Sequence, residues 1–358
     1  MKIQNQGFDH VEFVVKDITQ HARTYERMGF EKVGERTLHN RGIRSVLYQQ
    51  GYVRILLTQP EDMAVTERQE STRFLRKHAE GICVLALDVE SATEAFDTAV
   101  KRGAKAAMAP QRFESPEGSV VRAEVWTPGD VRYAFMERKS GRGPALFDEG
   151  LVVSRLESPS PMGIRVIDHL TNNVGMGEMK TWVEWYKTVF GFTVTRHFDI
   201  RTGRTGLISD VVQSADGRVI VPINEATEKE SQVQEFVDRM KGAGVQHLAL
   251  LSTGLMDTLV KLRAQSFKFL SVPHAYYEAV PTRVPGVTED LAEIEKLGIL
   301  LDGEETGYLL QIFSQEIVGP FFFEFIQRKG NKGFGEGNFR ALFEAIERDQ
   351  IERGVLKA

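Results

Sequence analysis

Three side chains in this sequence, His169, His247 and Glu324, are of the types that hold a divalent metal ion. Glu324 lies in Gly-Pro-Phe-Phe-Phe-Glu-Phe-Ile-Gln-Arg, residues 319–328, a single carboxylate among four phenylalanines. An ionised carboxylate in such surroundings is costly unless a cation pairs with it. The histidines occupy two more strand-like stretches, Ile-Asp-His-Leu-Thr-Asn-Asn-Val and Gly-Val-Gln-His-Leu-Ala-Leu. Two imidazoles and a carboxylate with open coordination positions form the ligand set of non-haem iron(II) oxygenases. Zinc hydrolases use the same ligand types, so the donors alone do not choose the metal. The aromatic surroundings and the lack of an obvious general base lean towards iron and oxygen. Histidines 21, 39, 78, 197 and 274 read as surface or ordinary hydrogen-bonded residues, and the single cysteine, Cys83, as a buried small hydrophobe.

Ligands spaced 78 and 77 residues apart must be assembled by the fold, and the near-equal spacing fits equivalent strands of repeated units. Four strand starts resemble one another: Phe8-Asp-His-Val, Ile82-Cys-Val-Leu-Ala-Leu, Ile167-Asp-His-Leu and Val245-Gln-His-Leu-Ala-Leu. Each opens a unit of one strand, one helix and further strands, so the expected fold is α+β. Two duplicated halves, each of two β-α-β-β-β units, would form open barrel-like sheets. Residues 140–162 are rich in Gly, Pro and Ser and read as a linker between an N-terminal domain, 1–139, and a C-terminal domain, 163–358. Phe339, Leu342, Phe343 and Ile346 mark a closing amphipathic helix. The repeat is also an internal control. Val84 falls opposite His247 and Ala134 opposite Glu324, whereas His10 is kept opposite His169. One half thus has three potential ligands and the other at most one. Side-chain alternation along strands lets Gln311, Phe313 and Phe322 line the cavity that holds Glu324.

The chain has 358 residues, enough for two domains, with 42% hydrophobic and 27% charged residues. A net charge of −5 gives no electrostatic case for nucleic acid or an anionic membrane. No apolar run approaches the roughly 18 residues of a membrane span. The N-terminus lacks the apolar stretch of a signal peptide, so a cytoplasmic enzyme or binding protein is expected.

Seven motifs in order carry a resemblance over nearly the whole chain: Asp168-His-Leu-Thr-Asn-Asn-Val, Pro222-Ile-Asn-Glu, Ser231-Gln-Val-Gln, Gly242-Ala-Gly-Val-Gln-His-Leu-Ala-Leu, Tyr308-Leu-Leu-Gln-Ile-Phe, Phe322-Phe-Glu-Phe-Ile-Gln-Arg and Gly333-Phe-Gly-Glu-Gly-Asn-Phe. The chain resembles the 4-hydroxyphenylpyruvate dioxygenases of the vicinal oxygen chelate superfamily. The resemblance implies one iron(II) per chain on His169, His247 and Glu324. It implies conversion of 4-hydroxyphenylpyruvate and O2 to homogentisate and CO2 in tyrosine breakdown, without a separate 2-oxoglutarate. Ser209, Asn224 and Gln232 match positions that hold the substrate, largely at its phenol end. Gln246 and Gln311 match polar residues near the metal and the keto acid. Phe313, Phe322, Phe334, Asn338 and Phe339 match the pocket wall and the closing helix. A homo-oligomer, tetramer or dimer, is implied by analogy. The nearest alternative is 4-hydroxymandelate synthase, with the same substrate and metal; a zinc or nickel glyoxalase-type isomerase and a silent small-molecule binder are further ones.

Overall fold

Apolar stretches at regular intervals become strands, and the two halves of the chain each build one eight-stranded sheet. The computed structural model describes residues 5–61, 70–139, 144–202, 205–304, 306–335, 337–339, 351 and 354. The first sheet contains β1 (Asn5–Val14), β2 (Glu31–Leu38), β3 (Ile43–Gln50), β4 (Val53–Pro60), β5 (Gly81–Val89), β6 (Lys105–Ser115), β7 (Gly118–Trp126) and β8 (Arg132–Lys139). A hairpin, β9 (Ala145–Asp148) and β10 (Leu151–Val153), follows. The second sheet contains β11 (Ile164–Val174), β12 (Thr193–Arg201), β13 (Gly206–Gln213), β14 (Ile220–Ala226), β15 (Gly244–Ser252), β16 (Leu300–Glu304), β17 (Gly307–Phe313) and β18 (Phe322–Lys329).

Strand order is β2-β3-β4-β1-β5-β8-β7-β6 in the first sheet and β12-β13-β14-β11-β15-β18-β17-β16 in the second. The two orders are the same pattern, so the chain is a duplication of β-α-β-β-β pairs. Helices Ile18–Arg27, Ala92–Lys101, Met179–Trp185 and Leu255–Ala264 each follow the first strand of a unit. Asp17 starts the first of them by accepting a hydrogen bond from the Thr19 amide at 2.8 Å. The second half also contains short helices at His274–Glu278, Val280–Arg283 and Leu291–Leu297. No helix among the described residues is long and apolar enough to cross a membrane.

Alternation along β18 separates a packing face from a site face. Phe321, Phe323 and Phe325 belong to the large core. Phe321 meets Phe13 at 4.9 Å between ring centroids and Phe323 meets Tyr25 at 6.3 Å, so this face docks the two halves together. Phe322 and Phe313 form a separate small cluster with Leu300 on the other face. The aromatics of the Met179–Phe190 segment are core: Trp182 and Tyr186 are buried, and the Tyr186 hydroxyl meets that of Tyr133 at 3.0 Å.

Two expectations need adjustment and a third falls outside the described residues. One outermost strand of each sheet, β6 and β16, was not apparent from periodicity. The expected linker holds the β9–β10 hairpin, whose Ala145, Phe147, Leu151 and Val153 are buried with Leu47 and Leu56 of the first sheet. Gly150 therefore marks a turn within an ordered element rather than a free tether. The expected C-terminal helix lies outside the described residues beyond Phe339.

Asp148 of β9 fixes this hairpin. It pairs with Arg36 at 3.0 Å and with Arg122, and its side chain is 1% exposed. Burial would raise its pKa, but Arg122 and Arg36 outweigh that and hold the carboxyl well below its usual range. Removing one partner of a buried pair leaves charge uncompensated, at about 3–5 kcal/mol. Asp148→Ala is thus expected to lower stability by about 3 kcal/mol in urea unfolding, within that range. Arg122 keeps Glu124, at 2.5 Å, so the uncompensated charge would be that of Arg36; a loss below about 1 kcal/mol would mean that Arg36 reaches solvent.

Candidate metal centre and pocket

The register of the second sheet brings the three ligand candidates onto its central strands. His169 on β11 pairs with Ala249 on β15, which in turn pairs with Glu324 on β18. His247, two residues from Ala249, sits between Thr171 and Phe322. Residues two apart on a strand share a face, so His169, His247 and Glu324 project from one side. Their donor atoms lie within 4.8 Å of one another, and all three residues are buried. In the first sheet the corresponding row is His10, Ala86 and Ala134. The same fold forms there without the acid.

Every other polar atom of the trio is occupied. His169 Nδ1 lies 2.8 Å from Asp168 Oδ2. Asp168 is held in turn by Arg328 through two bonds, at 2.8 and 2.6 Å. His247 Nδ1 lies 3.0 Å from Gln246 Oε1. Gln311 Nε2 donates to Glu324 Oε1 at 2.9 Å. This leaves Glu324 Oε2 facing both imidazoles, 3.3 Å from His169 Nε2 and 3.5 Å from His247 Nε2. The Thr171 hydroxyl also reaches His247 Nε2, at 2.9 Å, a bond that metal binding would displace. Such outer partners set the tautomer and direction of ligating histidines.

Charge in the trio is balanced by a proton. Burial opposes an imidazolium at His169, but Glu324 and Asp168 outweigh it and raise its pKa to about 9. Burial would likewise raise the Glu324 pKa; His169 and His247 outweigh it and lower it to about 2. Burial lowers the pKa of His247. A site that needs a cation, with one carboxylate oxygen and two Nε2 atoms converging on one point, fits a divalent metal by its donor set.

The rest of the predicted pocket follows the same face. Phe313 pairs with Glu324 across β17 and β18, and the Phe322 ring stacks on His247 at 5.0 Å. Phe334 meets His169 edge-on at 5.5 Å. Ser209 on β13 pairs with Asn224 on β14, which pairs with Asn173 on β11. Asn224 Nδ2 donates to Asn173 Oδ1 at 3.2 Å. Ser209 Oγ, Asn224 Oδ1, Asn173 Nδ2 and Gln232 Oε1 are buried without a hydrogen-bond partner among the described residues. Phe198, opposite Ser209, packs on Phe339 at 5.2 Å. Gln232 and Gln246 share a small cleft with Phe322. Asn338 is fully buried and donates to Gln311 Oε1 at 2.8 Å, so the structure ties it to other side chains rather than leaving it on the pocket wall. A larger cleft of about 1040 Å³ lies behind the site, bounded by Asp168 and Arg328 rather than by the trio.

Asp168, Arg328 and Asn173 were missed in the sequence. The repeat held the signal for two of them. Asp9 and Arg138 stand at the corresponding places of the first half, and Arg138 Nη2 donates to Asp9 Oδ1 at 2.9 Å.

Paired sheets of this topology around a His-His-Glu trio define a metal-dependent member of the glyoxalase and dioxygenase fold group. Residues 166–280 match the family described as "Glyoxalase/Bleomycin resistance protein/Dioxygenase superfamily". Residues 2–125 match "Hydroxyphenylpyruvate dioxygenase, HPPD, N-terminal". The chain is 37% identical over 359 residues to a 4-hydroxyphenylpyruvate dioxygenase from Pseudomonas aeruginosa, covering 99% of this chain and 97% of that one. It is 36% identical to one from Legionella pneumophila, covering 98% and 96%. Among solved structures it is similar to a mutant of 4-hydroxymandelate synthase from Streptomyces coelicolor, with a TM-score of 0.84, 25% identity and coverage of 98% and 100%. The chain belongs to the 4-hydroxyphenylpyruvate dioxygenase family.

Proposed function

We propose that this chain converts 4-hydroxyphenylpyruvate and O2 to homogentisate and CO2, with one iron(II) on His169, His247 and Glu324. The observation that carries the reading is a set of unpartnered polar atoms, on Ser209, Asn224 and Asn173, on the face that bears the trio. Asn173 is four residues along β11 from His169, about 13 Å at the usual strand rise. A flat aromatic acid spans the interval between metal and amides with its 2-oxo acid at the trio. A phenol hydroxyl both donates and accepts, and so suits Asn224 Oδ1 and Asn173 Nδ2 together.

Phe313 and Phe322 give the ring an apolar wall, and Phe334 keeps water from His169. Gln246 and Gln311 fix the directions of His247 and Glu324. Bound iron(II) would supply the O2 chemistry, while the substrate's own 2-oxo acid supplies the two electrons released with CO2, so no separate 2-oxoglutarate is required. In this reading the enzyme is cytoplasmic and homo-oligomeric, which sedimentation would count.

The test is oxygen uptake by iron(II)-loaded protein with 4-hydroxyphenylpyruvate, with the product identified. Homogentisate and CO2 in equal amounts are expected. Formation of 4-hydroxymandelate would overturn the product assignment. Turnover under strict anaerobiosis would overturn the oxygenase reading.

A further inference from the structure

A single file of hydrogen bonds runs from the short helices of the second half to Glu324. Arg283 Nη2 donates to the Tyr276 hydroxyl at 2.6 Å. The Leu301 amide donates to the same oxygen at 2.8 Å. The Tyr276 hydroxyl donates to Asn338 Oδ1 at 2.5 Å. Asn338 Nδ2 donates to Gln311 Oε1 at 2.8 Å, and Gln311 Nε2 donates to Glu324 Oε1 at 2.9 Å. Asn338 and Gln311 are 0% and 2% exposed, so water cannot replace a broken link cheaply.

The chemistry of its ends gives this file a direction. Arginine only donates and an ionised carboxylate only accepts. Between them lie one hydroxyl, whose proton can turn, and two amides, whose oxygen and nitrogen can exchange places. Glu324 requires the Gln311 amide to present nitrogen, which turns Gln311 Oε1 towards Asn338. Asn338 must then present nitrogen to Gln311 and oxygen to Tyr276. Arg283 and the Leu301 amide both donate to the Tyr276 oxygen, so the one phenolic proton points to Asn338. Leu301 O, the other acceptor at 2.9 Å, is served by Arg283 at 2.7 Å. A reversal at any link would set oxygen against oxygen, and a reversal of Gln311 would do so at Glu324 itself.

We propose that Tyr276 and Arg283 are positioning residues for the metal centre: through Asn338 and Gln311 they hold Glu324 Oε1, leaving Oε2 for the ion. This makes seating of Asn338 and presentation of the third ligand one event. The inference rests on the reading of His169, His247 and Glu324 as metal ligands.

The test titrates metal-free protein with cobalt(II), an oxygen-stable stand-in for iron(II), by calorimetry, without turnover. Tyr276→Phe keeps the ring and removes the link. It is expected to weaken cobalt(II) binding about tenfold, the low end for outer partners of ligands. In a Gln311→Met background, where the file is already cut, adding Tyr276→Phe should weaken binding no further. Asn338→Asp puts an acceptor against Gln311 Oε1 and should weaken binding at least as much. Asn338→Asp carries the test alone if Tyr276→Phe does not fold by circular dichroism. Wild-type affinity in either single variant, or the same tenfold loss in the Gln311→Met background, would overturn the proposal. Wild-type affinity in His247→Ala would instead sink the metal-site reading beneath it.

Discussion

Glu324→Gln should leave the fold in place and remove oxygen uptake. The two side chains have nearly the same shape, and Ala134 at the equivalent place in the first sheet shows that folding needs no acid there. The amide offers no negative charge to a cation held by two neutral imidazoles. Loss of an outer partner of a ligand costs up to about 100-fold, so loss of the charged ligand itself should cost at least ~100-fold in oxygen-uptake rate and in cobalt(II) affinity. The substitution also has a pH signature in the metal-free protein. The His169 pKa is raised from 6.5 to about 9, despite burial, chiefly by Glu324. A raised pKa contributes stability that is fully present below the unfolded value and is lost as pH rises through the folded one. Metal-free wild type should therefore lose stability between pH 6.5 and about pH 9, and Glu324→Gln should flatten that slope in urea unfolding. An unchanged slope would mean that Glu324 does not hold the His169 proton.

Gly335→Ala should impair the site from a distance. Gly335 has φ +74°, and an added Cβ would lie 1.8 Å from Gln311 Oε1. The left-handed conformation costs a non-glycine residue roughly 1–2 kcal/mol. The steric conflict is worse than the strain, because the only relief is to move Gln311 or to unseat the segment. Gln311 cannot move without releasing Asn338 and Glu324. The expected outcome is a fall in kcat/KM of about 10- to 100-fold, the range for lost partners of a ligand. The urea midpoint should stay near the wild-type value, because Phe334 and its neighbours lie outside the main hydrophobic clusters. A wild-type kcat/KM would show that the segment can withdraw without affecting the reaction.

The central strands were legible in the sequence because they are buried on both faces and so read as long apolar runs. Gly81–Val89 and Gly244–Ser252 are of this kind. One edge strand of each sheet, β6 and β16, was not. Lys105–Ser115 has no buried position and contains Pro110, and Leu300–Glu304 is five residues long with a glycine inside it. The convergence of His169, His247 and Glu324 could be argued because duplication supplied a second copy lacking two of them. Pairing of Asp168 with Arg328, 160 residues away, is a product of strand order and not of local pattern. Tyr276 and Arg283 lie on helices of five and four residues, too short for periodicity to show which way they face. A helix of that length is set by its tertiary contacts.

The row His169, Ala249, Glu324 has a further consequence. Neighbouring strands are about 4.8 Å apart, so the outer two residues of the row stand roughly 9.6 Å apart at the backbone. An imidazole and a carboxylate bridge that distance only by leaning inward over the residue between them. Ala249, fully buried, has a single methyl there. It acts as a spacer: the strands set the span and the small side chain sets the headroom. The size of ion that the centre can take is thus fixed partly by a residue that coordinates nothing.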